Sequence, residues 1–533
     1  MIYADKTFVN GKIHTMVAED QVEEALVVYD GKIVFVGSND EAKKFPTKEI
    51  IDLQGKIMLP GFIDTHLHLI MDCQAKERID LTDVESIDEI IDRMKKNDKG
   101  GEDWFLGANL HIEKLSEGRF PLRHELDEIT TDRPVLLISY CRHAALANSK
   151  ALEMAGITKD TVTKIEGLID FDENGEPNGI TRESSYGDFF AEYVEKDMLD
   201  PEYRRNLLKR HLSEYSEKGF TTLHTFTSVS GDPMEYLDQY MDLESEGVLP
   251  VRIVLNPRAD MPEDLHPKTG FGTNMIKIGA KKIFSDGAIN AHSAALLEPY
   301  EDAPEETGLL MLSEEELIRQ MSYAYKQDME IAVHAIGDRA METVLNAIEA
   351  VYNPRDGYRH RFRIIHGILV KQHQIERMKK LPIILDVQPI FIRNWVHLAE
   401  KRVGRERTKL FLPFKSFIDS GVIVTGGSDA PVDVVDPFIS IQCAVTRKDL
   451  AGYPESGFVP EQAISVYEGI SLYTKNAAHC SNEEDLKGTL EVGKLADLVV
   501  LEQNIFEMPF TDIHKVKVSM TIMGGEITWL INE

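Results

Sequence analysis

LPGFIDTHLH, residues 59–68, is an apolar run that ends in two histidines, His66 and His68, with one residue between them. Leu59-Pro60-Gly61 introduces the run, and the pattern predicts a strand. Because successive side chains of a strand point to opposite faces, both imidazoles are expected on one face at the carboxyl end. Imidazole is the most common protein ligand for zinc and related ions. Alone the pattern is weak, because two histidines on one strand face are as often ordinary core or surface residues.

Eight apolar runs in the middle of the chain are strand candidates. They are GFIDTHLHL (61–69), FTTLHTF (220–226), VRIVLN (251–256), KIGAKKIFSDG (277–287), IAVHAIG (331–337), FRIIHGI (362–368), PIILDVQ (382–388) and VIVTGGSDA (422–430). Near-continuous apolar runs are typical of parallel strands that are buried on both faces. Helical patterns flank several of them, such as DRAMETVLNAIEAVY after the fifth. The alternation predicts an α/β fold, a TIM-like (β/α)₈ barrel over residues 58–484.

Both ends of the chain are rich in strand patterns. KTFVNGKIHTM and ALVVYDGKIVFVG each resemble a hairpin, with Asn10-Gly11 and Asp30-Gly31 as turn signals. ADLVVLEQ and VSMTIMGGEITWLI near the carboxyl end look alike. We therefore expect residues 1–57 and 485–533 to form one small composite β-sandwich beside the barrel.

The segment between the first and second strand candidates is too long for a single connection. Residues 70–215 are expected to hold an inserted α+β subdomain after the first barrel strand. An insertion in a loop that follows a barrel strand sits at the active-site end, so we interpret it as a lid or specificity element. A purely structural embellishment is the alternative.

Composition limits the classes of partner. The chain has 533 residues with 59 Lys and Arg against 90 Asp and Glu, a formal net charge of −31. A surface this acidic repels nucleic-acid phosphates and anionic lipid. Neither nucleic acid nor a membrane is therefore expected as a partner. Four scattered cysteines are not a disulfide framework, and neither a signal peptide nor a membrane-spanning run is visible. We expect a cytoplasmic protein that acts on a small molecule; a homo-oligomer is left open.

Three more ligand-type residues close other strand candidates. His334 ends the fifth (IAVHA), His366 ends the sixth (RIIHG), and Asp429 ends the eighth (GGSDAP). A single histidine in a core strand is usually hydrogen-bonded filler. Four histidines and one aspartate at four strand ends are harder to explain as hydrogen-bonded filler, because buried polar groups are costly without partners. The pattern indicates a shared site about the barrel axis.

With these segments the chain resembles the amidohydrolase superfamily, specifically amidohydrolase family 3, the YtcJ-like metal-dependent hydrolases. The matching segments run from about residue 50 to 530 and are LPGFIDTHLH, KKIFSDGAI, IAVHAIGDRA, FRIIHGILV, IVTGGSDAPV, AVTR and GTLEVGKLADLVVL.

The resemblance implies a metal site at the carboxyl-end mouth of the barrel. By motif, His66 and His68 would bind one divalent ion and His334 and His366 a second. Asp429 would contact the first ion and handle the proton.

The resemblance also implies a role for a lysine of the fourth strand. Lys282 matches a family lysine that is carboxylated in many relatives and bridges two ions. Lys281, on the opposite face, is the neighbouring candidate, and a mononuclear enzyme with an ordinary lysine is the alternative. Zn²⁺, as one or two ions, is the expected metal, with Fe²⁺ or Mn²⁺ able to occupy the same ligand type.

The resemblance implies hydrolysis of a non-peptide C–N bond, in an amide, a formamide, or a cyclic amide or amidine, by metal-activated water. The alternatives are a catalytically silent metal-binding relative with a regulatory role, a deaminase of heterocyclic amines, and an isomerase or lyase on the same barrel. Three further residues are candidate substrate contacts. They are His143 in the insertion, His224 at the end of the second strand, and Arg447 in AVTR.

Overall fold

The computed structural model divides the chain into two compact units, one of Met1–Leu69 and Lys209–Glu533 and the other of Ile70–Leu208. The residues it describes are 3–98, 100, 104–139, 144–161, 169–182, 189–194, 200–227, 233–258 and 268–531.

The two ends of the chain supply two β-sheets of the larger unit. The first sheet has the strand order Lys32–Gly37, Ala25–Tyr29, Ala4–Val9, Thr47–Asp52. The second has the order Glu526–Leu530, Val518–Met523, Leu498–Leu501, Ile57–Pro60, Lys12–His14, Val22–Glu23. Apolar side chains of both sheets share one core, to which Phe8 and Leu26 come from the start of the chain and Leu498 and Ile522 from its end.

Only one of the two predicted hairpins is present. Ala25–Tyr29 pairs antiparallel with Lys32–Gly37 across Asp30-Gly31, and both turn residues have positive φ, 50° and 71°. The hairpin predicted around Asn10-Gly11 is wrong, because Ala4–Val9 and Lys12–His14 belong to different sheets. The pattern of alternation is the same in both segments, and they differ in the strands with which they pair.

The middle of the larger unit is built from parallel strands in two sheets. One sheet has the order Ile276–Ile278, Arg252–Asn256, Phe220–Phe226, Phe62–Leu67. The other has the order Lys281–Phe284, Ile331–Ala335, Phe362–His366, Ile383–Val387, Ile423–Gly426.

The edges of these two sheets are joined by hydrogen bonds. At one edge Arg258 and Lys282 form a parallel bridge, and at the other the Asp429 amide donates to the carbonyl of His66 over 2.7 Å. The arrangement is TIM-barrel-like, and each of the eight predicted runs contains a strand.

The fourth predicted run, 277–287, is not one continuous strand. It is interrupted at Gly279-Ala280, where the Asn256 side chain takes the place of a ladder partner by accepting from the Ala280 amide over 2.7 Å. A Cβ at Gly279 would lie 2.4 Å from that same side-chain oxygen, so glycine permits the close approach.

Helices alternate with the parallel strands. Glu314–Lys326 shows why they form: Ser313 caps it by accepting from the Glu316 amide over 3.2 Å, and acidic residues fill the first turn, where the helix dipole favours them. The longer helices of this unit are Pro233–Ser245, Glu314–Lys326, Asp338–Val351, Gln372–Met378, Ala399–Arg407, Phe414–Asp419, Pro437–Thr446 and Val466–Leu472. Two four-residue helices are Asn39–Ala42 and Ile392–Trp395, and Pro201–Glu217 crosses the boundary between the units.

The Ile70–Leu208 unit has a mixed sheet of its own with a separate apolar core. The strand order is Ile169–Phe171, Pro177–Arg182, Ala144–Ala147, Val135–Ser139, Phe105–Leu110, Ile79–Asp80. Its helices are Leu69–Lys76, which begins at the boundary, Ile87–Lys96, Arg123–Leu126, Ser149–Met154 and Ala191–Val194. Among the helices described in either unit, none combines the length and apolarity that crossing a lipid bilayer requires.

A buried ion pair ties the third parallel strand to the carboxyl-terminal sheet. Arg252 donates from Nε and Nη2 to the two carboxylate oxygens of Asp497 over 2.8 and 2.9 Å, with both side chains at most 6% exposed. Asp497 also accepts from the Gly524 amide, and its carbonyl accepts from Gly61.

Replacing Asp497 by alanine is expected to destabilise the protein, because Arg252 would remain buried without its counter-charge. Breaking such a pair costs about 3–5 kcal/mol, which thermal and urea unfolding of the full chain would reveal. Asp40→Ala is the matched control, since Asp40 pairs with Lys43 on the surface and the change should leave the unfolding midpoint in place. Equal midpoints for the two variants would contradict this role of the pair.

Candidate metal centre

Four strand ends bring a histidine and aspartate cluster together. His66 Nε2 lies 3.1 Å and His68 Nε2 3.5 Å from Oδ1 of Asp429. The His366 ring lies 5.5 Å from that of His66 and 4.6 Å from that of His334, centre to centre. Ligand atoms of His66, His366 and Asp429 all lie within 4.8 Å of one another, which is the spacing of a potential metal site.

The backbone is strained where the cluster forms. His366 and Asp429 have φ values of 76° and 57°, a left-handed conformation that is uncommon outside glycine and costs free energy. At each of these residues the left-handed conformation changes the direction of the chain just after a strand. Gly427 allows the last strand to approach the first, because a Cβ there would lie 2.7 Å from the His66 backbone nitrogen.

Hydrogen bonds to the remaining ring nitrogens orient three of the imidazoles. His366 Nδ1 lies 2.7 Å from Gln388 Oε1 and His68 Nδ1 3.1 Å from the Phe226 carbonyl, so these nitrogens donate and each Nε2 keeps its lone pair. His334 has the opposite ring orientation. Its Nε2 lies 3.2 Å from the Gly287 carbonyl, so its Nδ1 is the nitrogen that could bind a metal ion. Such outer contacts fix the tautomer of metal-binding histidines.

Burial favours the neutral state of the imidazoles. It lowers the pKa of His66 and His366 well below the usual value, and nearby positive groups, the Lys282 amine among them, lower both further. Burial alone would raise the pKa of Asp429, but the facing imidazoles, His66 first, hold it well below its usual range. Neutral imidazoles beside a carboxylate are the donor set that a divalent cation such as zinc prefers, and His66 Nδ1 has no hydrogen-bond partner among the described residues. The residues therefore fit a metal ion.

The two neighbouring lysines of the fourth strand point in different directions. Lys282 Nζ lies 4.8 Å from the centre of the Phe226 ring, which in turn lies 4.3 Å from the His66 ring. Lys281 Nζ instead lies over Tyr323 of the helix Glu314–Lys326, 5.0 Å from the ring centre. Burial lowers the pKa of Lys282 to about 7, which favours the uncharged amine.

Comparison with known proteins identifies the family. The amidohydrolase family profile matches residues 49–529. The chain belongs to the amidohydrolase family.

Relatives and solved structures agree with this assignment and with the predicted YtcJ-like resemblance. The chain is 35% identical over 528 residues to putative amidohydrolase YtcJ of Bacillus subtilis (strain 168), covering 97% of this chain and 98% of the relative. It is 28% identical over 550 residues to N-substituted formamide deformylase of Arthrobacter pascens, covering 98% of each. The crystal structure of an uncharacterized metal-dependent hydrolase from Pyrococcus horikoshii matches with a TM-score of 0.78 and 30% identity, over 95% of this chain and 99% of that one.

Three acidic or amide residues of this amidohydrolase support the cluster and were not predicted as site residues. Buried Asp64 accepts from the amides of His66 and Ser428, over 2.9 and 3.2 Å. Asp286 lies 3.3 Å from His334 Nε2 and accepts from the Gly337 amide, and Gln388 orients His366. Asp286 and Gln388 are polar residues just after an apolar run and Asp64 lies inside one, and neither signal by itself distinguishes a support from a ligand.

Below the cluster, a buried network occupies the interior of the parallel strands. Arg363 Nη2 donates to the Thr65 carbonyl over 2.7 Å and to Asp386 over 2.6 Å, and the hydroxyl of Thr65 donates to Asp386. The network holds the backbone beside His66 in place. The His224 ring belongs to this layer, with Nδ1 3.5 Å from Arg363 Nη1 and no exposed surface.

The structure shows the surroundings of two of the three predicted substrate contacts. His224 lies in the buried layer beside Arg363, so a substrate-binding role does not fit it. Arg447 is also fully buried and donates to the backbone carbonyls of Phe458, Leu412 and Phe411, which commits its guanidinium to the fold. His143 lies outside the described residues.

Gln388→Met should weaken divalent-metal binding by about 10–100-fold, because His366 would lose the acceptor that fixes its tautomer. Competition with a chromophoric chelator would measure the affinity. Gln374→Met is the control, since Gln374 is equally buried but bonds to the Asp338 carbonyl and Glu342. That variant should lose stability while keeping its metal affinity. Unchanged affinity in Gln388→Met would show that the hydrogen bond does not support metal binding.

Proposed function

We propose that this amidohydrolase is a metal-dependent enzyme that hydrolyses a non-peptide carbon–nitrogen bond in a small molecule: an amide, a formamide, or a cyclic amide or amidine. The observation that carries the proposal is the direction of the donor atoms. His68 and His366 have Nδ1 engaged by an oxygen acceptor, and the Nε2 atoms of His66 and His68 lie 3.1 and 3.5 Å from Oδ1 of Asp429. A divalent cation bound among these atoms would be coordinated by imidazole and carboxylate lone pairs together.

The ligands divide into two groups in this proposal. His66, His68 and Asp429 would hold one divalent ion, His334 and His366 a second, and Lys282, once carboxylated, would bridge them. Zn²⁺ is the expected metal, with Fe²⁺ and Mn²⁺ as alternatives for the same donors. When bound, the metal lowers the pKa of water from about 15.7 toward about 7 and polarises the bond to be cleaved.

Asp429 is the proposed proton carrier. Its low pKa keeps it ionised, so its carboxylate can take a proton from the attacking water and return it to the departing nitrogen. The new bond joins the water oxygen to the carbonyl carbon, and the bond from that carbon to nitrogen breaks. An amide gives a carboxylic acid and an amine; a formamide gives formate and an amine. The full-length similarity to an N-substituted formamide deformylase supports this reaction class.

Asp429→Asn should lower kcat by about 10²–10⁴-fold, the usual contribution of general acid–base catalysis, because an amide does not accept the proton. The assay follows acid and amine release from a panel of N-formyl and N-acyl amines, with metal content measured on each preparation. Asp436→Asn is the matched control from the same loop, where asparagine can still cap the helix Pro437–Thr446. An Asp429→Asn variant of full activity would exclude this carboxylate as the proton carrier.

Lys282→Ala should remove a carbamate signal that the parent protein shows by carbon-13 NMR after incubation with labelled bicarbonate. The physical reason is that only an uncharged amine reacts with carbon dioxide, and Lys282 lies buried facing the cluster. Lys281→Ala is the control, because Lys281 is as buried but lies over Tyr323. Short carboxylic acids should restore part of the activity of Lys282→Ala. A signal that survives in Lys282→Ala, or that vanishes in the control, would contradict the assignment.

A further inference from the structure

We propose that Asp433 is a positioning residue for Asp429: its buried carboxylate anchors the turn that follows the last parallel strand and so holds the proton carrier in place. The inference rests on the proposed function and adds to it a residue that acts through Asp429. Asp433 follows Asp429 by four residues in the segment GGSDAPVDVVDP (426–437), which begins at the end of the strand Ile423–Gly426.

Asp433 is buried within a turn that is otherwise accessible to solvent. Of residues 431–435 it alone is buried, and its side chain has no exposed surface. Val432 and Val434, on either side of it, are 42% and 47% exposed. Aspartate is rarely buried to this extent unless it is paired. Apolar packing contributes little here, so we attribute the position of the turn to the Asp433 carboxylate.

The partners of this carboxylate come mainly from the segment that follows the neighbouring strand, Ile383–Val387. Arg393 donates from Nε to Oδ2 over 3.2 Å and pairs through Nη2 with Oδ1. Asn394 Nδ2 donates to Oδ2 over 3.0 Å, and the Val434 amide donates to Oδ1 over 2.8 Å. An arginine fork on both oxygens of a carboxylate fixes direction as well as distance.

The residues on the other side of this ion pair belong to a well-packed segment. Arg393 lies in the helix Ile392–Trp395, and Trp395 is 9% exposed and packs against Phe411 with ring centres 5.2 Å apart. The same segment begins at Gln388, which orients one of the histidines. The ion pair therefore attaches the turn after the proton carrier to a packed part of the same site.

The backbone of Asp429 needs support on both sides. Its φ of 57° is left-handed, and such strain persists only where the surrounding structure fixes it. On the amino side, the Asp429 amide donates to the His66 carbonyl over 2.7 Å. On the carboxyl side, the Val432 amide donates to the Asp429 carbonyl over 2.8 Å and closes a turn that leads directly to Asp433. Releasing Asp433 removes the second support, and misplacing a reacting group by about 1 Å can cost roughly 100-fold in rate.

The chain offers a control for the stability that any buried ion pair confers. Asp497 pairs with Arg252 through the same two-oxygen contact, and both side chains are at most 6% exposed. Its carbonyl accepts from Gly61, just before the first parallel strand, so this pair lies at the end of the strands away from the histidines. Asp497→Asn should therefore destabilise the protein about as much as Asp433→Asn and leave kcat unchanged.

The test measures metal content, kcat and KM of the metal-loaded full chain for a panel of N-formyl and N-acyl amines. Asp433→Asn should lower kcat by about 10–100-fold, with little change in KM or metal content, because Asp429 is displaced while the histidines stay in place. The same change added to Asp429→Asn should have little further effect on kcat, because the carboxylate that Asp433 positions is already absent. Such non-additivity distinguishes residues that act through one another from independent ones.

The absorption bands of bound Co²⁺ separate this inference from the proposed function, because they respond to the geometry of the ligands and require no turnover. Asp433→Asn should shift the bands of the cobalt-loaded parent and leave those of cobalt-loaded Asp429→Asn unchanged. This pattern, without hydrolysis of any amide in the panel, would support the inference and count against the proposed function.

Three results would overturn the inference and leave the proposed function intact. They are an unchanged kcat in Asp433→Asn, an equal loss of kcat in both backgrounds, and a loss of bound metal in place of a shift of the cobalt bands. Should Asp433→Asn fail to fold, Arg393→Lys is measured in the same way, since it keeps the positive charge and loses the fork, and the same results decide.

Discussion

The site depends on two backbone hydrogen bonds between the first and last parallel strands. The amide of Asp429 donates to the carbonyl of His66, and the amide of His68 donates to the carbonyl of Ala430, each over 2.7 Å. They join segments more than 350 residues apart in sequence and place the carboxylate between two imidazoles. The other ligand-type residues are positioned by the parallel strands that lie between these two strands in sequence. Without these two hydrogen bonds, Asp429 would not be held beside His66 and His68.

The electrostatics of the cluster suit a divalent cation. Burial keeps His66 and His366 neutral, and the contact of His366 with Gln388 assigns the proton to the nitrogen that faces away from the centre. Asp429 supplies the negative charge that a divalent ion requires. The strained φ values of His366 and Asp429 fit this interpretation, since the strain persists where surrounding structure fixes the geometry.

Positive charge is concentrated on one side of the cluster, although the chain as a whole is strongly acidic. Lys282 and Arg258 share the Phe284 ring, and carboxylation of the lysine would replace one positive charge by a negative one. Net charge, which describes solubility and long-range attraction, therefore says little about the local preference of the site.

The sequence by itself determined where the parallel strands lie, apart from the break at Gly279-Ala280, and it determined the ligand-type residues. A buried parallel strand requires a continuous apolar run, and a polar residue at its end stands out. It did not separate ligands from supports. Asp286, like Asp429, is an aspartate shortly after an apolar run, and His224, like His366, is a histidine near the end of one. Only the tertiary structure decided that Lys282 and not Lys281 faces the histidines. It also decided that Arg447 donates its hydrogen bonds to backbone carbonyls, and that Asn10-Gly11 joins two sheets instead of forming a hairpin. In each case the outcome depends on which distant residues lie opposite, and local periodicity carries no information about them.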